Sequence, residues 1–386
     1  MKSFKEFCRK ALGAVKSGFQ KSVAFTKELI HEPPFHVTKR ATISTARAMI
    51  VRVVAVVIAL LLCSVLSVFL IDANPFEFIV AMFSGAFGSS RRLWKLAKDT
   101  AVLLCISLAV TPAFRMKFWN IGAEGQTLIG AIAATAVAFY LGGKIPNPIL
   151  LILMFIAAII AGAVWAGIPA ICKAKWNTNE TLFTLMMNYV SSGLLAFFLL
   201  LWTPSGSSVL GRLDFGHLPV IVNDYLLLIL LVLILTVIAY IYLQYTKQGY
   251  EISVVGESEN TARYIGIKVG KVVIRTMLIS GAICGLAGFL IVGALDHSVS
   301  ETTVGGLGFT AIMASWLAKF NPLIMIGTSL FITFLDQGAS QISTDFNIAS
   351  AFPDMVVGII LFFIIGCEFF INYSLKRSEK KHKEGE

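Results

Sequence analysis

The sequence predicts an all-α polytopic membrane protein with about ten transmembrane segments, and three observations predict it. Of 386 residues, 57% are hydrophobic and only 14% charged, and the mean hydropathy is +0.80, more apolar surface than a chain in water can bury. The apolar residues gather in runs of about 14 to 25, the length of helices that cross or enter a bilayer. Among them stand 31 Gly and 29 Phe, a composition suited to helices that approach closely in lipid. A soluble globular enzyme is excluded.

Residues 1–48 form a basic extension. Phe4, Phe7, Cys8, Ala11, Leu12, Val15 and Phe19 recur at helical spacing, with Lys2, Lys5, Arg9, Lys10 and Lys16 between them. This pattern fits an amphipathic helix on the inner leaflet, stopped by Pro33-Pro34, and equally an unstructured basic tail. The membrane domain follows over 49–373, with apolar runs at about 49–71, 100–117, 121–141, 148–172, 181–202, 225–245, 273–295, 305–319, 322–335 and 351–373. The first spans about 35 Å at 1.5 Å per residue and crosses with room to tilt. Runs 305–319 and 322–335 are too short for two full crossings and are split by Asn321-Pro322, which predicts a helical hairpin or two broken helices. Residues 374–386 are a polar tail.

Charge sets the orientation. With the N-terminus inside and the spans alternating, 26 of the 32 Lys and Arg residues fall on the inner side and 6 on the outer, so both termini are expected in the cytoplasm. The net charge of +10 then follows topology, with lipid rather than nucleic acid as the neighbour. Arg91-Arg92-Leu93-Trp94-Lys95 falls outside and is expected as an interfacial helix. Cys63, Cys105, Cys284 and Cys367 lie in apolar runs and read as small fillers. No P-loop, H-E-x-x-H or Cys/His cluster occurs, and His31, His36, His217, His297 and His382 are scattered, so neither ATP, a metal nor a catalytic triad is expected on this chain. Asn179-Glu180-Thr181 and Asn372-Tyr373-Ser374 match a glycosylation pattern by chance, since both fall inside.

Three places break the apolar monotony. In Asn120-Ile121-Gly122-Ala123-Glu124-Gly125-Gln126, Glu124 sits between glycines at the start of an apolar run. It is either an intramembrane carboxylate facing a cavity or a solvated residue in a cytoplasmic turn, with Arg115 and Lys117 just before it. Residues 246–275 form the longest polar interruption between later spans, with Gly249, Gly256 and Gly266 as punctuation; a short surface helix that docks on a partner is favoured over a plain loop. Gly305-Gly306-Leu307-Gly308 opens the short pair, with Trp316 beyond, and suits helix packing more than lining of a path. Segments 2–5 and 7–10 flank a central one and run in opposite senses, and a Gly-rich motif opens the second member of each set. That order predicts an inverted repeat.

Asn120-Ile-Gly-Ala-Glu-Gly-Gln126, followed by Thr-Leu-Ile-Gly-Ala131, resembles the signature of ABC importer permeases of the ribose and branched-chain amino acid class, within it the nucleoside, riboflavin and simple-sugar subgroup. The resemblance continues at Asn179-Glu180, Leu185 to Tyr189, Gly256 to Ile267, and Gly308-Phe309 to Asn321-Pro322, covering roughly 75–370. The chain departs at Met116 to Trp119, where small residues are usual, and at Ser258, where Asn is usual.

The resemblance implies a type II importer-like fold in a bacterial inner (cytoplasmic) membrane. This chain would be a non-enzymatic permease subunit forming half of the path for a nucleoside or similar small heterocycle, with riboflavin or a simple sugar as alternatives. Its implied partners are a second homologous permease in a heterodimer, two ATP-binding subunits or one fused tandem ATPase, and an extracytoplasmic substrate-binding lipoprotein. No cofactor is bound by the chain itself; ATP and Mg are used by the partner ATPase. Trp119, Asn120, Glu124, Gln126 and Asn188 would lie along the substrate path. Glu259, Asn260, Ala262, Arg263 and Gly266, within the 246–272 coupling segment, would meet the ATPase. Gly122, Gly125, Gly305, Gly306, Gly308 and Pro322 would break helices. A stand-alone secondary transporter is the competing class, favoured by broken helices and an intramembrane carboxylate.

Overall fold

The computed structural model describes residues 35–39, 44–71, 74–203, 207–220, 223–348 and 351–377. The elements run β1 (Phe35–Lys39), α1 (Thr45–Ile71), α2 (Pro75–Phe87), α3 (Ser90–Arg115), α4 (Ala123–Leu141), α5 (Asn147–Trp176), α6 (Glu180–Trp202) and α7 (Leu226–Tyr245). They continue with α8 (Lys247–Glu257), α9 (Glu259–Tyr264), α10 (Val269–Leu290) prolonged by a π-helical turn (Ile291–Asp296), α11 (Leu307–Leu317), α12 (Pro322–Asp345), α13 (Ala351–Asn372) and β2 (Tyr373–Arg377). Among the described residues, nine helices are long and apolar enough to cross a membrane, and α2 and α11 are shorter apolar helices. The protein is a multi-pass membrane protein.

Several expectations change. The run at 100–117 begins earlier: Ser89 caps α3 by accepting the N–H of Arg92 at 3.3 Å, so Arg91 to Lys95 are the first turns of a crossing helix rather than a separate interfacial one. Residues 75–87, between the first two apolar runs of the sequence, form α2. The 322–335 run extends to Asp345, because Gln337, Ser340, Gln341 and Ser343 are polar but good enough helix residues to continue the turns. The short pair is therefore one 11-residue helix followed by one of 24 residues. The proposed amphipathic helix within 1–34 lies outside the described residues.

The chain divides into two compact units, one drawn from residues up to Pro75 and from Gly358 onward, the other Phe76–Val357. In the first, β1 and β2 pair antiparallel with Phe35 opposite Arg377. There Ala55, Cys367 and Ile371 form a small core, beside which Arg52 Nε donates to Glu368 Oε1 at 3.0 Å.

In the second unit α3 and α10 lie innermost: 83% and 67% of their most apolar stretches are buried, against 28% for α5, α6 and α7. The outer helices show Ile152, Ile156 and Ile160 of α5, and Ile234 and Val237 of α7, on exposed faces, as lipid-facing helices do. α10 packs on α5, α4 and α3 through glycines. Gly281 meets Gly162, Gly285 meets Gly130 and Ala158, and Gly288 meets the backbone of Thr127 and Ala131, with no room for a Cβ at these crossings. Small residues here let backbones approach and gain dispersion contacts where no hydrophobic force between helices operates.

The two ends of this unit differ. At one end α8 and α9 pack Ile252, Val255 and Ala262 against Met116, Phe118, Leu243 and Val269. At the other, residues 210–218 bond to the stretch after α10: Leu210 N–H to Val299 O at 2.9 Å, Leu213 N–H to His297 O at 2.7 Å and Leu218 N–H to Gly293 O at 2.9 Å.

Candidate translocation site

The link between α3 and α4 is where the sequence concentrates its polar groups, and its geometry begins with the end of α3. Lys117 adopts a left-handed conformation (φ 59°), its N–H bonding Phe114 O and the N–H of Phe118 reaching back to Ala113 O, each at 3.0 Å. This double bond closes the helix and turns the chain sharply. Arg115 is held there by donation from Nε to Phe320 O at 3.2 Å.

The chain then enters the bundle instead of the solvent. Asn120 is fully buried and donates from Nδ2 to Ser280 Oγ at 3.3 Å, halfway along α10. Its side chain also forms a reciprocal amide pair with Gln126, at 3.3 Å and 3.0 Å, and its Oδ1 accepts the N–H of Gly122 at 3.1 Å. From α6, Asn188 accepts the Gly125 N–H at 2.9 Å and donates to Ile121 O at 3.0 Å, while Thr184 Oγ1 accepts the Ile121 N–H at 3.2 Å. Each backbone group of a broken segment in lipid needs such a partner. Gly125 is required because a Cβ would stand 2.6 Å from Ser191 Oγ.

Glu124 joins the two Gly-rich motifs. Its Oε1 accepts the N–H of Gly306 at 2.8 Å and its Oε2 that of Gly308 at 2.7 Å. The carboxylate thus lies in the first turn of α4 and also at the start of α11, where free N–H groups and the helix dipole favour negative charge. Gly305 and Gly306 have φ of 55° and 84°, which glycine adopts without penalty and which aims both amides at one carboxyl group. Glu124 does not stand free in a turn: it is half-buried and bonded through both oxygens, and its neighbours Asn120 and Gln126 are buried.

Beside this network lies an aromatic shelf. Trp119 packs on Trp316 at 5.5 Å between ring centroids and edge-on against Phe114 at 5.6 Å, and Trp119 and Trp316 keep 43% and 50% of their surfaces exposed. Trp119, Asn120, Glu124, Gln126 and Asn188 are therefore brought together, with Gly122, Gly125, Gly305, Gly306 and Gly308 around them. The amides are bonded within the scaffold, whereas both indoles stay about half exposed. Spacing alone did not join Trp316 to this group; its position one helix length after the Gly motif was the available signal.

The remaining candidates lie at the α8 and α9 end. Ser258 caps α9 by accepting the Thr261 N–H at 3.3 Å, Arg263 pairs with Glu259 at 3.3 Å in solvent, and Gly266 is left-handed at φ 87°. Ala262 is buried beneath the helix while Tyr264 is 92% exposed, so α9 is anchored on one face and open on the other. Pro322 opens α12 behind Asn321, whose Oδ1 accepts the Leu323 N–H at 3.0 Å. Asn179 is the N-cap of α6, accepting from Leu182 N–H at 3.1 Å.

This chain is similar to known permeases. Over 319 residues it is 28% identical to a glucose ABC transporter permease protein of Haloferax volcanii, covering 78% of this chain and 83% of that one. It is also 28% identical to a guanosine ABC transporter permease protein of Bacillus subtilis, with 78% and 88% coverage. A nucleoside ABC transporter permease protein of Lactococcus lactis is 26% identical over 88% of this chain and 98% of its own. A family model described as "Branched-chain amino acid transport system / permease component" matches residues 93–365, from the first turns of α3 into α13. The chain belongs to this permease family.

Proposed function

We propose that this permease subunit forms half of the translocation path of an ABC importer for nucleosides or similar small heterocycles. The observation that carries the substrate is the pair of exposed indoles, Trp119 and Trp316, fixed beside a buried polar loop. A flat base stacks on such faces, and a scaffold whose own amides are satisfied holds the faces still. The guanosine and nucleoside permeases among the relatives support the same substrate class. The glucose permease supports a sugar as the second reading, since aromatic faces also cover sugar rings.

In this reading the chain lies in a bacterial cytoplasmic membrane with its α8 and α9 end in the cytoplasm. A second permease completes the path, ATP-binding subunits supply the energy, and an extracytoplasmic lipoprotein delivers the solute. The coexistence of two related permeases in Bacillus subtilis and two in Lactococcus lactis supports a heterodimer. Glu259, Asn260, Arg263 and Gly266, with exposed Tyr264, would meet the ATPase, and Ala262 would anchor that helix.

The test is uptake by proteoliposomes holding the full assembly and its binding protein, offered labelled guanosine, riboflavin and glucose. ATP-dependent uptake of guanosine is expected. Uptake of glucose alone would replace the substrate, and ion-driven uptake by this chain without partners would replace the mechanism with that of a secondary transporter.

A further inference from the structure

The cations that open α3 are out of place in two ways. The charge count that orients the chain leaves only six of its 32 Lys and Arg on the side opposite α8 and α9, and Arg91, Arg92, Lys95 and Lys98 are four of the six. They also stand in the first turns of a 26-residue helix with no acidic residue in its first turn, where free N–H groups and the dipole already make the potential positive. Lys95 is four residues from Arg91 and three from Arg92 and Lys98, so like charges face one another along the helix. A helix start arranged for its own stability would carry Asp or Glu here.

All four side chains line one cavity of about 870 Å³, bounded by the first turns of α3, the residues leading into α7 and the C-terminal half of α12. Among the described residues, no Asp or Glu lines it. Two carboxylates act from behind the wall: Asp99 pairs with Lys98 at 3.6 Å, and Asp336 lies in the field of Lys95. Arg91 and Arg92 have no ion-pair partner among the described residues. Arg92 Nη1 donates to Ser84 O at 2.7 Å, which positions the guanidinium without neutralising it. The wall therefore keeps an excess of positive charge. The hydroxyls of Ser89, Ser90 and Ser340 line the same space and can donate to further oxygens of a tetrahedral anion, whose edge the arginine fork matches with two bonds. The volume is that of a pocket for a whole small molecule, and Trp94 and Tyr225 offer ring faces to its organic part.

We propose that this cavity binds a phosphate ester, with Arg91, Arg92 and Lys95 around the phosphate at the head of α3. One bound anion answers both anomalies: it sits where a helix N-terminus favours negative charge, and it gives mutually repelling cations a shared counter-charge. The site does not depend on the nucleoside reading. The same chemistry has two sources, the head group of a phospholipid in the surrounding leaflet and a soluble phosphate ester.

The experiment follows the thermal midpoint of the full purified assembly in non-ionic detergent. It is titrated separately with dihexanoyl phosphatidylglycerol, dihexanoyl phosphatidylcholine and glycerol 3-phosphate. A saturable rise with phosphatidylglycerol alone identifies a lipid head group, and a saturable rise with glycerol 3-phosphate identifies a soluble ester. Either supports the site when Arg91→Gln and Lys95→Gln, both at exposed positions, each raise the half-saturating concentration about tenfold, as expected for one lost charge-assisted bond. Without ligand these variants should melt no lower than wild type, because a repulsion has been removed; a purely structural role would lower the midpoint instead. Should one variant fail to accumulate, the other decides. The site is overturned by the absence of any saturable rise, or by a rise unchanged in the variants. Equal responses to the two lipids with none to glycerol 3-phosphate also overturn it. So does loss of binding-protein-dependent uptake in variants of an assembly that answers no phosphate probe, which would assign the cations to a carboxylate-bearing partner protein.

Discussion

Glu124 binds two backbone amides that are 182 and 184 residues away in sequence, and a single-atom change tests what that achieves. In Glu124→Gln the shape is kept, but the side-chain nitrogen faces Gly306 or Gly308 with a donor against a donor. One charge-assisted bond is lost, worth about 2 kcal/mol, and the thermal midpoint of the purified protein should fall; an unchanged midpoint would show that α4 and α11 are held by packing alone. Asn188→Asp makes the reciprocal change, replacing the donor to Ile121 O by an acceptor, and should destabilise to a similar degree. At the opposite end, His297 stacks on His217 with centroids 4.0 Å apart. Burial, then the nearby His217 and Arg212, hold His297 below the ordinary histidine value, against a smaller opposing pull from the Val292 backbone and Asp224. A histidine whose native pKa lies below its unfolded value of about 6.5 contributes stability that is complete above that pH and is lost as pH falls through the native value. Thermal midpoints measured from pH 7.5 to 5.5 should therefore decline on acidification, and His297→Phe should flatten the decline.

Among the elements, the glycine crossings of α10 are where added volume does most harm. At Gly285 a Cβ already collides with the backbone of Ala158, so Gly285→Val should cost about 3 kcal/mol or more by forcing α10 from α5. Size-exclusion profiles in detergent would show aggregation or loss of the monodisperse peak; a wild-type profile would disprove the crossing. These crossings also explain what was legible in the sequence. The apolar runs that became α4, α6, α7 and α13 were bounded to within two or three residues, because a helix in lipid is delimited by where its apolar residues stop. The start of α3 and the end of α12 were not legible, since both carry polar residues that line a cavity instead of meeting lipid. The cluster around Asn120, Glu124 and Asn188 was visible as a set of residues. That Glu124 seeks Gly306 and Gly308 was not, because long-range partners leave no periodicity in a single sequence. The β1 and β2 pairing was missed for the same reason.

For the whole molecule, the α8 and α9 end and the Glu124 network are separated by very little compliant material. A Cβ at Gly256, near the end of α8, would overlap Arg115 O, and Arg115 is the last residue of α3, immediately before the turn that carries Asn120 to Glu124. Movement of α8 thus meets backbone rather than flexible side chains. Arg263→Glu reverses the exposed charge on α9, and Gly266→Trp adds bulk where there is open space but a left-handed φ. If α9 meets the ATPase as proposed, assemblies carrying either variant should form and their ATP-binding subunits should hydrolyse ATP, yet most nucleoside uptake should be lost; normal uptake with both variants would overturn that docking assignment. The distance in sequence between Glu124 and its partners also has a bearing on birth. At about 5–20 residues per second, roughly ten to forty seconds of synthesis separate Glu124 from Gly306. During that interval the nascent chain carries a carboxylate into the membrane with no amide to receive it, so the last third of the protein completes a bond that the first third has kept open.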